Sequence, residues 1–93
     1  MVKLGLIGGG YWGKNLVREF NNCGILDTIC DINEDILEGY KVQYPNIKLT
    51  KEWKDVLENK EIDSVCVGLP AEMHYRFSKE ALLAGKNVYV EKF

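Results

Sequence analysis

With 93 residues, of which 46% are apolar and 28% charged, the chain has the make-up of one globular domain of ordinary size. Twelve Lys and Arg against 14 Asp and Glu leave a formal charge of −2, so no charge excess calls for nucleic acid or an anionic membrane as partner. Its longest apolar runs fall far short of the roughly 18 residues needed to span a bilayer, and its opening stretch lacks the apolar core and cleavage site of a signal peptide.

Residues 2–7 read as a buried strand that ends at Gly8, Gly9 and Gly10. A helix is predicted from Tyr11 to about Asn22, with Leu16, Val17 and Phe20 inward and Gly24 as its stop. Residues 25–31 make the second strand. Asn33 suits an N-cap, and Glu34 and Asp35 suit the positive end of a helix dipole. Ile36, Leu37, Tyr40 and Tyr44 mark the inner face of that second helix, which Pro45 stops. A short third strand around residues 47–49 leads to Thr50, expected to cap a helix with Trp53, Val56 and Leu57 inward. Residues 64–68 form the fourth strand. Leu69-Pro70 then turns the chain into a helix with Met73, Phe77, Ala81 and Ala84 inward and Gly85 as its C-terminal cap. Residues 87–90 are the fifth strand.

Strands that are apolar almost throughout, alternating with helices, predict a parallel sheet covered on both faces. Right-handed crossovers make it a doubly wound, Rossmann-like α/β sheet in the order 3-2-1-4-5, one domain over residues 1–93. Its topological switch point lies between strands one and four. The glycine turn and Leu69-Pro70 both fall there.

Gly8-Gly9-Gly10-Tyr11-Trp12-Gly13 matches G-x-G-x-x-G between a strand and a helix, and Asp31 follows Gly13 by 18 residues at the end of the next strand. Together these are the dinucleotide-binding fingerprint. Gly8 permits the tight turn, Gly10 lets the backbone approach the pyrophosphate, and Gly13 allows close helix–sheet packing. The amides of Tyr11 and Trp12 begin the helix and face the phosphates, while their side chains are expected to pack on protein. Asp31 accepts hydrogen bonds from the adenosine ribose. Its charge repels a 2′-phosphate that neither Ile32 nor Asn33 can neutralise, so NAD is expected rather than NADP.

The single histidine, His74, starts the fourth helix near the switch point. It is a candidate cofactor contact, although composition alone makes it an ordinary polar residue at a helix start. Cys23, Cys30 and Cys66 include no C-x-x-C pair, and no metal site is expected. Cys30 and Cys66 sit in apolar runs as small buried hydrophobes, and reduced thiols point to the cytoplasm.

The segments Gly-Leu-Ile-Gly-Gly-Gly-Tyr-Trp-Gly-Lys-Asn, Cys-Asp-Ile-Asn, Pro-Ala-Glu-Met-His and Glu-Ala-Leu-Leu-Ala-Gly-Lys-Asn-Val-Tyr-Val-Glu-Lys together resemble the Gfo/Idh/MocA family of NAD(P)-dependent sugar oxidoreductases. The Tyr-Trp-Gly-Lys-Asn variant is most similar to the branch acting on nucleotide-sugars. The resemblance covers essentially the whole chain and implies an N-terminal NAD-binding domain. It implies that Glu91 and Lys92 match the family's Glu-Lys-Pro signature beside the nicotinamide, with Lys92 positioning or polarising the reacting sugar carbon–oxygen bond. Leu69 stands where the family commonly has Thr before Pro70, and Phe93 replaces the signature proline.

The family's larger substrate domain, which supplies the sugar pocket and acid/base group, is absent from this stretch. The isolated chain is therefore expected to bind NAD(H) and catalyse little. A stand-alone nucleotide-binding or redox-sensing module, or a structural one, is the alternative. Strand five, left as a sheet edge, is expected to support self-association.

Overall fold

Side chains along the first strand alternate between two apolar environments, and that alternation puts helices on both sides of the sheet. The computed structural model describes residues 2–10, 13–69 and 71–90, the side chain of Val90 excepted. Its elements are β1 (Leu4–Ile7), α1 (Gly13–Asn22), β2 (Leu26–Cys30), α2 (Glu34–Gln43), β3 (Lys48–Thr50), α3 (Trp53–Glu58), β4 (Ser64–Val67), α4 (Ala71–Leu83) and β5 (Asn87–Val90). All neighbouring strands are parallel, in the order β3-β2-β1-β4-β5, as the sequence predicts. Leu4 and Leu6 join Val17 of α1 and Leu37 and Tyr40 of α2 in one core. Ile7 joins Val56 and Leu57 of α3 and Phe77 and Ala81 of α4 in the other.

The chain reverses its direction of progress across the sheet between β1 and β4. Their C-terminal ends therefore open a crevice that no crossover helix can cover. Gly5, in the middle of β1, faces the α3 side, where an added Cβ would lie 2.5 Å from Val56 Cγ1. The absent side chain lets α3 sit down on the sheet. The apolar run had shown only a strand.

Several local expectations shift. The paired part of the first strand begins at Leu4, and Val2 is half exposed. Thr50 is the last residue of β3, because its carbonyl accepts the Asp31 amide at 3.0 Å and holds it extended. The N-cap of α3 is Glu52, which makes no side-chain cap bond. The Thr50 hydroxyl instead accepts from the Glu52 amide at 3.0 Å and donates to Asp55 Oδ2 at 2.7 Å. On α4, Phe77 and Ala81 are buried, but Met73 and Ala84 are exposed. Met73 lies one turn before Phe77, and Ala84 just beyond the last helical residue, Leu83. Asn33 caps α2 as expected, its side chain accepting from the Asp35 amide at 2.9 Å.

The sequence also concealed a buried cation. Lys86, between α4 and β5, is 9% exposed, and its ammonium donates to the carbonyls of Asn59, at 2.6 Å, and Ile62. These carbonyls end α3 and lead into β4, so one side chain fastens two loops at the end of the sheet opposite the crevice. Cys30 and Cys66 are buried and form no disulfide. Burial, with smaller contributions from Asp31, Glu52 and Asp55, pushes the Cys30 thiol up to about 12, so it stays protonated and unreactive near neutral pH. Among the described residues no helix is long and apolar enough to cross a membrane.

Candidate functional site

The glycine turn leaves β1 with Gly8 at φ +96°, a conformation that an L side chain adopts only under strain. A Cβ on Gly8 would also meet Leu69 Cδ2 at 2.6 Å, and one on Gly13 would lie 2.3 Å from the Gly8 carbonyl oxygen. Gly13 therefore lets the first turn of α1 rest directly on the strand end. Gly10 differs. A Cβ there would meet only ordinary contacts, with Ile36 Cδ1 at 3.4 Å and Asp31 Oδ2 at 3.9 Å, and Gly10 lines a surface pocket with Gly9, Ile36 and Tyr40. The Gly10 carbonyl accepts the amides of Gly13 and Lys14 and begins the helical ladder.

Asp31 stands across the crevice at the end of β2. Its Oδ2 accepts the Gly9 amide at 3.0 Å and its Oδ1 accepts the Asn33 amide at 2.9 Å. A carboxylate offers about four lone-pair positions, so two remain for hydroxyls of a ligand while the two backbone bonds hold the group still. The β2–β3 register sets Lys51 beside Asp31, one residue past the Cys30–Thr50 pair. The ammonium of Lys51 is held by Glu34 Oε1 at 2.6 Å. That hydrogen bond, with the attraction of the charge, keeps the Glu34 carboxyl below its ordinary range. Sequence reading missed this cation because it comes from the neighbouring strand. Its charge is met by Glu34, which preserves the bias against a second phosphate.

Behind Asp31 an apolar cavity of about 140 Å³ opens between Ile7, Ile32, Trp53, Leu69, Met73 and Phe77. Whole small-molecule pockets measure roughly 300–1,000 Å³, so this one suits a single ring of a larger ligand. Trp53 and Phe77 meet edge to face at 5.5 Å and stiffen one wall. Leu69, where a hydroxyl had been in question, contributes apolar wall instead. His74 lies half-buried with its Nε2 donating to the Leu69 carbonyl, so it ties the first turn of α4 to the preceding turn. Tyr11, Trp12, Pro70, Glu91, Lys92 and Phe93 lie outside the described residues.

The structure thus brings the glycine turn, Asp31, Leu69 and His74 to one crevice. It adds Tyr40, which was expected only as a core residue. The Tyr40 hydroxyl donates to the Gly9 carbonyl at 2.6 Å from a buried position. No local pattern signals that bond, because the two residues meet only when α2 packs beneath the turn.

Comparison with known proteins agrees with this geometry. A "Glycosyl hydrolase family 109 protein" of Shewanella amazonensis is 30% identical over 97% of this chain and 22% of its own length. The WlbA dehydrogenase of Bordetella pertussis, solved in complex with NADH and UDP-GlcNAcA, superposes with a TM-score of 0.86 at 26% identity, over 98% of this chain and 28% of that one. The scyllo-inositol dehydrogenase of Lactobacillus casei, solved with NAD(H) and scyllo-inositol, superposes with a TM-score of 0.86 over 99% of this chain and 28% of its own; at 23% identity it shows the shared fold. The chain thus spans about a quarter of the length of such relatives. Residues 2–92 match the oxidoreductase family with an NAD-binding Rossmann fold, and the chain belongs to that family, Gfo/Idh/MocA, as its NAD-binding domain.

Proposed function

We propose that this chain is the cofactor-binding part of an oxidoreductase that moves a hydride between a sugar or nucleotide-sugar carbinol and NAD. The observation that carries the reading is Asp31, held by two backbone amides at the switch point and facing the glycine turn. In this reading Gly8, Gly10, Gly13 and the amides of Tyr11 and Trp12 receive the diphosphate. Asp31 takes the adenosine ribose, and the cavity walled by Leu69 takes the adenine, with Pro70 and His74 shaping its rim. Glu91 and Lys92 follow β5 and serve the nicotinamide end, Lys92 as the cation beside the reacting oxygen. When bound, the coenzyme supplies the hydride acceptor; the protein residues orient it and exclude water.

The nucleotide-sugar preference rests on likeness to the dehydrogenase solved with UDP-GlcNAcA. The substrate pocket and the acid/base group belong, in this proposal, to a further domain. Buried reduced thiols fit a cytoplasmic setting. Titrating the 93-residue chain with NADH and following nicotinamide fluorescence tests the core of the reading. Saturable binding in the millimolar range or tighter is expected, with NADPH at least about tenfold weaker, the equivalent of roughly 1.4 kcal/mol. Equal affinity for the two, or no binding, defeats it.

A second chain is the proposed neighbour of β5. Among the described residues β5 pairs only with β4, and Tyr89 is exposed at that edge. Unpaired amides and carbonyls along such an edge recruit another strand. Sedimentation velocity should show dimers growing with concentration; a monomer at every concentration up to the millimolar range rejects this pairing.

A further inference from the structure

We propose that Tyr40 is a positioning residue that turns the Gly9–Gly10 peptide so that the Gly10 amide faces the diphosphate of the coenzyme. The inference rests on the NAD reading above and adds a residue that the glycine fingerprint does not include.

Two contacts fix Gly9 from opposite sides. Its amide donates to Asp31 Oδ2 at 3.0 Å, and its carbonyl accepts the Tyr40 hydroxyl at 2.6 Å. The residue also lies flat on its supports: an added Cβ would sit 2.9 Å from Ile29 Cγ2 and 3.0 Å from Tyr40 Cε2. No described peptide bond is cis. In a trans peptide the carbonyl and the following amide point in opposite directions. Drawing the Gly9 carbonyl down toward Tyr40 therefore turns the Gly10 N–H the opposite way, away from the core.

The alternative orientation explains why a hydroxyl is useful here. A Gly-Gly peptide flips easily because neither residue carries a Cβ to resist it. Flipped, the unit would present the negative end of its dipole to an anion and bury an amide against the Tyr40 ring. The phenolic hydroxyl donates more strongly than it accepts, so its bond to the Gly9 carbonyl favours the orientation with the carbonyl inward. It keeps its proton well into alkaline solution, because burial first, and then Tyr44 and Asp31, push its ionisation above the ordinary tyrosine range. Nothing in the Gly-x-Gly string shows this, since Tyr40 lies a full helix away.

The test compares three ligands on the 93-residue chain and its Tyr40→Phe variant, which keeps the ring and removes the hydroxyl. ADP and NADH contain the diphosphate, and adenosine carries only the parts assigned to Asp31 and the apolar cavity. The expected result is that ADP and NADH bind about tenfold more weakly to the variant, in line with one hydrogen bond to a charged group. Adenosine should change by less than about twofold. Equal weakening of all three would show a merely structural role and overturn the inference, as would unchanged ADP binding.

An NMR measurement on the unaltered chain decides the matter even if the variant does not fold. ADP should shift the Gly10 amide resonance and slow its exchange with solvent, and adenosine should not. A Gly10 amide indifferent to ADP overturns the proposal. If the unaltered chain binds neither ADP nor NADH, the NAD reading itself fails; binding that ignores Tyr40 sinks the positioning role alone.

Discussion

Alanine at Gly13 is expected to lower the thermal midpoint of the chain by about 10–20 °C, the equivalent of roughly 3 kcal/mol in a domain of this size. The added methyl would sit 2.3 Å from the Gly8 carbonyl oxygen and 3.2 Å from its carbon. Both are backbone atoms at the end of a fully buried strand, so no side-chain rotation relieves the overlap. Helix α1 would have to lift from the turn, uncovering Val17 and Leu6 and spoiling the seat for the diphosphate at the same time. Gly39 is the matched control. It lies inside α2 with nothing within 4 Å of its missing Cβ, so alanine there should raise the midpoint by a few degrees, reflecting up to ~1 kcal/mol of helix propensity. Differential scanning calorimetry on both variants reads opposite signs. A Gly13→Ala protein as stable as the parent would mean that α1 does not rest on the turn.

Loss of the Asp31 carboxylate should be the most damaging single change to binding that leaves the fold in place. Each hydrogen bond to a charged group contributes about 1.5–3 kcal/mol, and two ribose hydroxyls are available to it. Asp31→Ala should therefore weaken NADH by roughly 30-fold or more. The same change frees the Gly9 and Asn33 amides. The Asn33 amide is exposed and water can replace that bond, so the stability loss should stay near ~1 kcal/mol. NADPH should suffer less, because a repulsive charge next to its 2′-phosphate is removed and Lys51 stands on the adjoining strand. The ratio of NADPH to NADH dissociation constants should fall at least about tenfold, measured by fluorescence titration of both coenzymes. An unchanged ratio would take Asp31 away from the ribose.

The features legible in the chain were those enforced locally. A strand ending in Gly8, a helix that needs no side chain at Gly13, a cap at Asn33 and a carboxylate at the next strand end all follow from backbone geometry within a few residues. The alternation of strand and helix carries the strand order with it, because crossovers have one hand. Cys30 and Cys66 were readable as core for the same reason, lying in runs that can only be buried.

The misses lie in how segments distant in sequence pack, or fail to pack, against one another. Thr50 looked like a cap until the Asp31 amide claimed its carbonyl. Met73 and Ala84 kept the helical spacing of Phe77 and Ala81, but packing leaves both exposed.

Hydrophobic pattern and glycine spacing by themselves determined that this protein is a doubly wound parallel sheet with a dinucleotide turn and its partnering acid, since those depend on torsions and on the period of burial. Only the tertiary structure decided which neighbours complete the site. Tyr40 beneath Gly9, Lys51 beside Asp31 and Val56 against Gly5 arise from packing one element on another. A contact made across the sheet leaves no period in the chain from which it could be read.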